Sequence, residues 1–146
     1  MNNDEAMVMA AVGMGFFGLL IGLVIMVFFL LTLQKCLNQV SAENRAMEPA
    51  MVWLNLIPLF NLVWIFITVL KLSDSVVAEG QARGVSVEDG GKTIGLVYAV
   101  SMIASIIPLL GFLAALVALV MFIIYWVKVA GFTKALAGAA PQTSQA

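Results

Sequence analysis

Three long stretches without one charged side chain dominate this sequence: Ala6–Gln34, Pro49–Leu70 and Thr93–Val127, of 29, 22 and 35 residues. An α-helix rises about 1.5 Å per residue, so about 20 apolar residues cross a hydrocarbon core about 30 Å thick. Each stretch is therefore long enough to cross a membrane. The rest of the composition agrees: of 146 residues, 63% are hydrophobic and only 10% charged, against roughly 25% charged in a soluble domain. Seven Lys and Arg plus eight Asp and Glu cannot give a soluble fold of this size its polar skin. An ordinary soluble domain and a disordered chain are excluded. The net charge of −1 offers no basic surface to nucleic acid. A membrane-embedded, all-α bundle remains, with the lipid bilayer as its first partner.

Histidine is absent, which removes His-ligated haem, most catalytic zinc sites and His general-base chemistry together. The single Cys36 cannot form an intramolecular disulfide or a cysteine metal cluster. No cofactor and no metal are expected. The sequence starts with Met1-Asn-Asn-Asp-Glu5, an acidic flank before a long apolar run. A secretory signal wants a basic flank and a run of about 7–15 residues, so this segment reads as a retained transmembrane helix. No lipidation motif or N-x-Ser/Thr sequon is present.

The spacing predicts one domain over 1–146 with four spans, at about 7–34, 50–71, 92–107 and 111–133. The third run, at 35 residues, would reach roughly 52 Å as one helix. Pro108 and Gly111 in Ile106-Ile-Pro-Leu-Leu-Gly111 supply turn chemistry and divide it into a hairpin. A re-entrant or kinked segment is the competing reading. Cytoplasmic loops carry an excess of Lys and Arg. Four spans put both termini and the 72–91 loop on one side, with Lys71, Arg83, Lys92, Lys128 and Lys134 against Lys35 and Arg45 on the other. Both termini are thus expected in the cytoplasm. Tyr125 and Trp126 then fit the aromatic belt of that face, and Trp53 the belt of the opposite one. In the 72–91 loop, Glu79 and Arg83 stand at i,i+4 with Gly80 between them, and the tail 138–146 reads as disordered. A weak internal echo at an offset of 50 aligns Asn55-Leu-Ile-Pro-Leu-Phe-Asn61 with Ser105-Ile-Ile-Pro-Leu-Leu-Gly111. It points to two helical hairpins, 1–2 and 3–4, related by an axis along the membrane normal.

Three groups of residues could carry a function. Ala11, Gly15, Gly18 and Gly22 fall on one face of the first helix, and Gly18–Gly22 is a GxxxG motif that lets helix backbones approach closely in lipid. They read as a dimer or partner surface, or as packing within the protein's own bundle. Asn55, Pro58 and Asn61 are the most polar feature inside a span. An unsatisfied amide in hydrocarbon costs several kcal/mol, so they line a polar path or bond to neighbouring helices, with Ser101 and Ser105 as partners. Lys71 and Asp74 are interface anchors, or an intramembrane pair if the second helix starts nearer Pro58 than Pro49. Gly91-Lys92-Thr93 ends like a phosphate-binding loop, but Ser86 stands where the first glycine is required, so nucleotide binding is rejected. Neither an acid pair nor a nucleophile–base set nor a metal cluster lies in the spans, and an enzyme is not expected.

Trp53-Leu-Asn-Leu-Ile-Pro-Leu-Phe-Asn-Leu-Val-Trp64 within Met51–Glu79, and Tyr125-Trp-Val-Lys-Val-Ala-Gly131 within Gly91–Lys134, resemble a group of small bacterial four-helix membrane proteins classed as a domain of unknown function. The resemblance implies a bacterial inner-membrane protein and transfers no catalytic or binding residue. The leading expectation is a non-enzymatic bundle that associates with itself or with a membrane-protein partner through the first helix. The alternative is a small channel or transporter with a polar path near Asn55, Asn61, Ser101 and Ser105.

Overall fold

The computed structural model describes residues 2–139 and contains helices and turns with no strand among them. Helix α1 spans Asn3–Gln39, α2 Pro58–Arg83, α3 Lys92–Ala104 and α4 Gly111–Gly138, with short 3-10 helices at Ala42–Asn44 and Pro49–Leu56 between α1 and α2. Three of the four α-helices are long and apolar enough to cross a membrane: α1, α2 and α4. The protein is an integral membrane helical bundle.

Local chemistry sets the boundaries. Asn2 and Glu5 form a reciprocal capping box at the start of α1, satisfying two of the backbone donors that a helix start leaves free. Gly84 closes α2 in the left-handed conformation at φ 68°, with Val85 N–H donating to Gly80 O at 2.8 Å. Gly80 has no room for a side chain, since a Cβ there falls 2.7 Å from Val87 Cγ2. The glycine between Glu79 and Arg83 thus lets the 85–87 loop lie on α2.

The predicted span 50–71 is not one helix. Pro58 lacks an N–H and restricts the residue before it to an extended backbone, and Ile57 sits at φ −80°, ψ 110°. The chain reverses there. Residues 41–57 climb one side of α2 as irregular and 3-10 structure, tied to it at several levels. Ser41 and Asn44 reach Glu79, Ala46 N–H donates to Ser75 Oγ, Asn55 meets Thr68, and Trp64 Nε1 donates to Met51 O. The carbonyl of Leu54 accepts from Ile57 N–H at 3.2 Å.

Two hairpins result, and the repeated Ile-Pro-Leu phrase is the tip of each. The second consists of α3 and α4, joined through 105–110. The first consists of the 41–57 segment and α2, rather than α1 and α2, because α1 and α2 run in the same direction. Arg83 proves the direction: its guanidinium donates to Gln39 O at the end of α1 and to Leu136 O and Ala139 O at the end of α4. The 40–48 and 72–91 connections therefore lie at one end of the bundle, not on opposite sides. Asn3 begins the far end of α1, about 55 Å of helix away. Asn2 and Ala139 accordingly lie at opposite ends of the described bundle, where four successive crossings would bring them to the same end. Of the predicted tail, residues 140–146 lie outside the described part, while α4 continues to Gly138.

The packed core gathers in the half nearest the shared helix ends. Phe29, Leu33 and Leu37 of α1, Ile65, Val69 and Leu72 of α2, and Tyr125 and Val129 of α4 are all fully buried. Phe29 lies 4.7 Å from Phe122 and 5.9 Å from Trp126, centroid to centroid. Lipid gives little hydrophobic drive between helices, so close packing and interhelical hydrogen bonds hold this half together. Trp126 Nε1 donates to Thr32 Oγ1 and Trp53 Nε1 to Gln34 Oε1. These two tryptophans bond to the same two turns of α1, so Trp53 does not mark an opposite face, and Tyr125 is core rather than belt.

Candidate functional site

Two regions concentrate the chemistry, one polar at the shared helix ends and one apolar at the far end of α1. The polar region is centred on Glu79. Its Oε1 accepts from Ser41 Oγ at 2.7 Å and from Arg83 Nε at 2.6 Å. Its Oε2 accepts from Ser41 N–H at 3.0 Å and from Asn44 Nδ2 at 2.7 Å. Four donors on two oxygens fill the lone-pair positions of a carboxylate. Arg83 passes this anchoring on to the carbonyls that end α1 and α4, and Arg45 Nε donates to Leu37 O and Val40 O. Cations at helix C-termini satisfy orphan carbonyls and oppose the macrodipole. The Glu79 cluster is a latch that ties three helix ends together, and its saturated carboxylate has no free position for a proton-transfer role.

Beside it, Asp89 caps α3 from the loop: Oδ1 accepts from Gly91 N–H at 2.9 Å and Oδ2 from Thr93 N–H at 2.8 Å. The amides that a phosphate-binding loop would offer to a ligand are thus taken by the chain's own carboxylate. The hydroxyl and the N–H of Thr93 bring the Asp89 carboxyl down to about 2 against the opposing effect of burial, with weaker help from Gly91 N–H and Lys128. Lys128 pairs with Glu88 at 2.5 Å. Asp74 faces Lys92 at 3.8 Å rather than Lys71, and both groups of that bridge are exposed. Lys71 and Asp74 therefore do not pair with each other, although α2 starts at Pro58 rather than Pro49.

The intramembrane polar candidates do not converge. Asn55 is buried and its Nδ2 donates to Val52 O at 2.8 Å and Thr68 Oγ1 at 2.9 Å, locking the first hairpin. Ser105 Oγ turns back to Met102 O at 2.6 Å, and Ser101 is buried on α3. Among the described residues no hydrogen bond joins Asn55 or Asn61 to Ser101 or Ser105. The partner of Asn55 is Thr68, thirteen residues along the same hairpin, because Pro58 folds α2 back against the segment that carries Asn55. The Oδ1 atoms of Asn55 and Asn61 are buried without a partner. Pro58 itself is exposed at the tip.

At the far end, α1 stands apart from the other helices. Ala11, Gly15, Gly18 and Gly22 are exposed, and a Cβ built on any of the three glycines meets nothing within 4 Å. At 100° per residue these four positions lie within about 40° of the line through Phe29, Leu33 and Cys36. That lower line packs against α4, with Phe29 among Phe122, Tyr125 and Trp126 and Cys36 beside Thr133. The small residues thus continue the line of the α1–α4 seam upward, and Ala11 lies beyond the level at which α4 begins. At the junction a groove of ≈ 230 Å³ is lined by Gly22, Ile25, Met26, Tyr98, Ala118, Leu119 and Phe122. From this level α1 rises about 28 Å further to Asn3, while α4 rises only about 10 Å to Gly111. The overhang is apolar on all sides: Met7, Val8, Met9, Val12 and Met14 each expose more than 60% of their surface.

The class that fold and sites define is a membrane-embedded helical bundle with a latched end and a free helix. A scan against protein-family models and searches of curated proteins and of solved structures find no match to the chain.

Proposed function

We propose that this is a non-enzymatic inner-membrane protein that docks a partner within the membrane through the free half of α1. The observation that carries this reading is the uninterrupted face of Ala11, Gly15, Gly18 and Gly22, exposed and with open space beside each glycine. In lipid, small residues gain contact area by letting a second backbone approach closely. The latch at the other end supports the same reading, since it holds α1 upright from its C-terminus. All seven Lys and Arg belong to that end, which by the positive-inside tendency faces the cytoplasm. Asp4 and Glu5 then mark the outer face. The resemblance to bacterial four-helix membrane proteins supports the inner membrane as the location.

The test is copurification of the full-length protein from native membranes in mild detergent, with Gly18→Leu and Gly22→Leu beside the wild type. The proposal expects the assembly, whether of identical or different chains, to be lost in both variants. An unchanged assembly in both overturns it. The unpaired Oδ1 atoms of Asn55 and Asn61 favour a second reading, a small channel or transporter. That reading requires ion or solute flux in reconstituted vesicles and its reduction by Asn61→Leu; absence of flux across a panel of ions and small solutes removes it.

A further inference from the structure

We infer that only α1 crosses the whole membrane, that both hairpins enter from the Arg83 side and end inside the hydrocarbon, and that this wedge prefers bilayers convex on that side. Two ion pairs fix one level low in the bundle. Lys92 faces Asp74 and Lys128 meets Glu88, so charged positions of α2, α3 and α4 lie together. From that level Pro58 stands about 24 Å up α2, Ala104 about 18 Å up α3 and Gly111 about 26 Å up α4. The bond from Trp126 Nε1 to Thr32 Oγ1 sets α1 in the same frame. Above this bond Gly111 stands about 23 Å higher, whereas Ala6, where the uncharged run of α1 starts, stands about 39 Å higher. The packed helices tilt together, so no tilt closes this gap. Tips at the far surface would leave Met7, Val8, Met9, Val12 and Met14 in water, each more than 60% exposed. Hydrocarbon around them instead gains about 25 cal/mol per Å² of apolar surface.

The tips suit that depth. Residues 56–60 and 106–113 hold no polar side chain, and Leu59 and Leu109 are 83% and 96% exposed. Membrane surfaces favour Trp, Tyr and charged anchors instead. Irregular backbone within hydrocarbon has to satisfy its own donors. Pro58 and Pro108 have no N–H, and the N–H groups of Ile57, Ile106 and Ile107 donate to Leu54 O, Ile103 O and Ala104 O. The result is unequal occupation of the two leaflets. In the layer of Phe29, five segments lie side by side. Phe29 meets Tyr125 of α4, Tyr125 and Val69 of α2 close on Gly95 of α3, and Thr68 beside Val69 bonds to Asn55 of the 41–57 segment. In the layer of Met9, α1 stands alone among the described residues. Cross-section added to one leaflet expands it relative to the other, and the bilayer bends convex on that side.

Purified full-length protein in lipid vesicles tests depth and curvature separately. A nitroxide on Leu59→Cys, Leu109→Cys or Met9→Cys reports collisions with oxygen, which concentrates in hydrocarbon, and with a nickel chelate, which stays in water. Cys36 is fully buried, so the wild type serves as the blank. Oxygen should dominate at all three sites, and the nickel chelate at Asn3→Cys and Ser86→Cys. Nickel access at Leu59 and Leu109, or at Met9, overturns the inference. For curvature, Ser86→Cys is labelled from outside by an impermeant maleimide in small sonicated and large extruded vesicles of the same lipid. The ratio of outward-facing to inward-facing copies should be about threefold or more higher in the small vesicles, whose outer surface is strongly convex. The chain carries the same charges in both, so a charge bias on orientation does not change with vesicle size. An equal ratio in the two sizes overturns the curvature preference. Neither readout involves Gly18 or a partner, so failure of the docking reading leaves both results as expected here.

Discussion

A carboxylate and a guanidinium removed from water each cost several kcal/mol, so their persistence depends on complete pairing. Glu79 and Arg83 meet that condition, with side-chain exposures of 2% and 12% and a partner for each carboxylate oxygen on both sides. Glu79→Ala leaves Arg83 facing three carbonyls with its counter-charge gone, and about 3–5 kcal/mol of stability should be lost, measured by denaturant titration in detergent. Asp89 sets a pH dependence. Its carboxyl is ordinarily near 3.8 and is held at about 2 in the folded chain. A depressed carboxylate contributes stability that is complete above its unfolded pKa and is lost as pH falls through its folded one. The thermal midpoint in detergent should therefore hold above about pH 4 and decline toward pH 2, and Asp89→Asn should flatten part of that decline. The pair Glu79–Arg83 was legible from its i,i+4 spacing. Ser41 and Asn44 were not, because no local rule links a residue to a carboxylate 35 or 38 positions away.

Among the elements, the glycines divide into two populations that sequence alone presents as one. Gly95 lies under α2 and α4: a Cβ there falls 2.6 Å from Val69 Cγ1 and 2.8 Å from Tyr125 Cε2. Overpacking at such a contact costs about 1–3 kcal/mol, so Gly95→Leu should lower the unfolding midpoint and loosen α3 from the bundle. Gly15→Ala meets nothing within 4 Å and should leave the stability of the isolated chain unchanged or slightly raised, since alanine favours helix. The α3–α4 hairpin was legible because Pro108 and Gly111 interrupt an apolar run too long for one crossing. The first hairpin was hidden by the same kind of signal. Pro58 also breaks its run, but Pro49–Leu70 has the length of one ordinary span, and length outweighed the proline. The echo around the two prolines was the cue that the tips are equivalent.

At the scale of the whole molecule, one misplaced reversal changes the side on which everything else lies. A continuous helix over 50–71 puts the residues around Arg45 and those around Arg83 on opposite faces, five basic residues against two. The reversal at Ile57–Pro58 brings them together and sends the start of α1 to the other face, giving seven against none. The apolar runs made the class of protein legible, and the charges marked the edges of its membrane part. Which edges coincide depends on the Arg83 bonds to Gln39 and Ala139, which are non-local. The latched end and the overhanging α1 are two consequences of this one arrangement. Labelling of single cysteines at Asn3, Ala42 and Ser86 by a membrane-impermeant maleimide, in sealed right-side-out and inverted vesicles, tests it most directly. Ala42→Cys and Ser86→Cys should react from the same side and Asn3→Cys only from the other. Reaction of Asn3→Cys together with Ser86→Cys, with Ala42→Cys on the opposite side, would contradict the account.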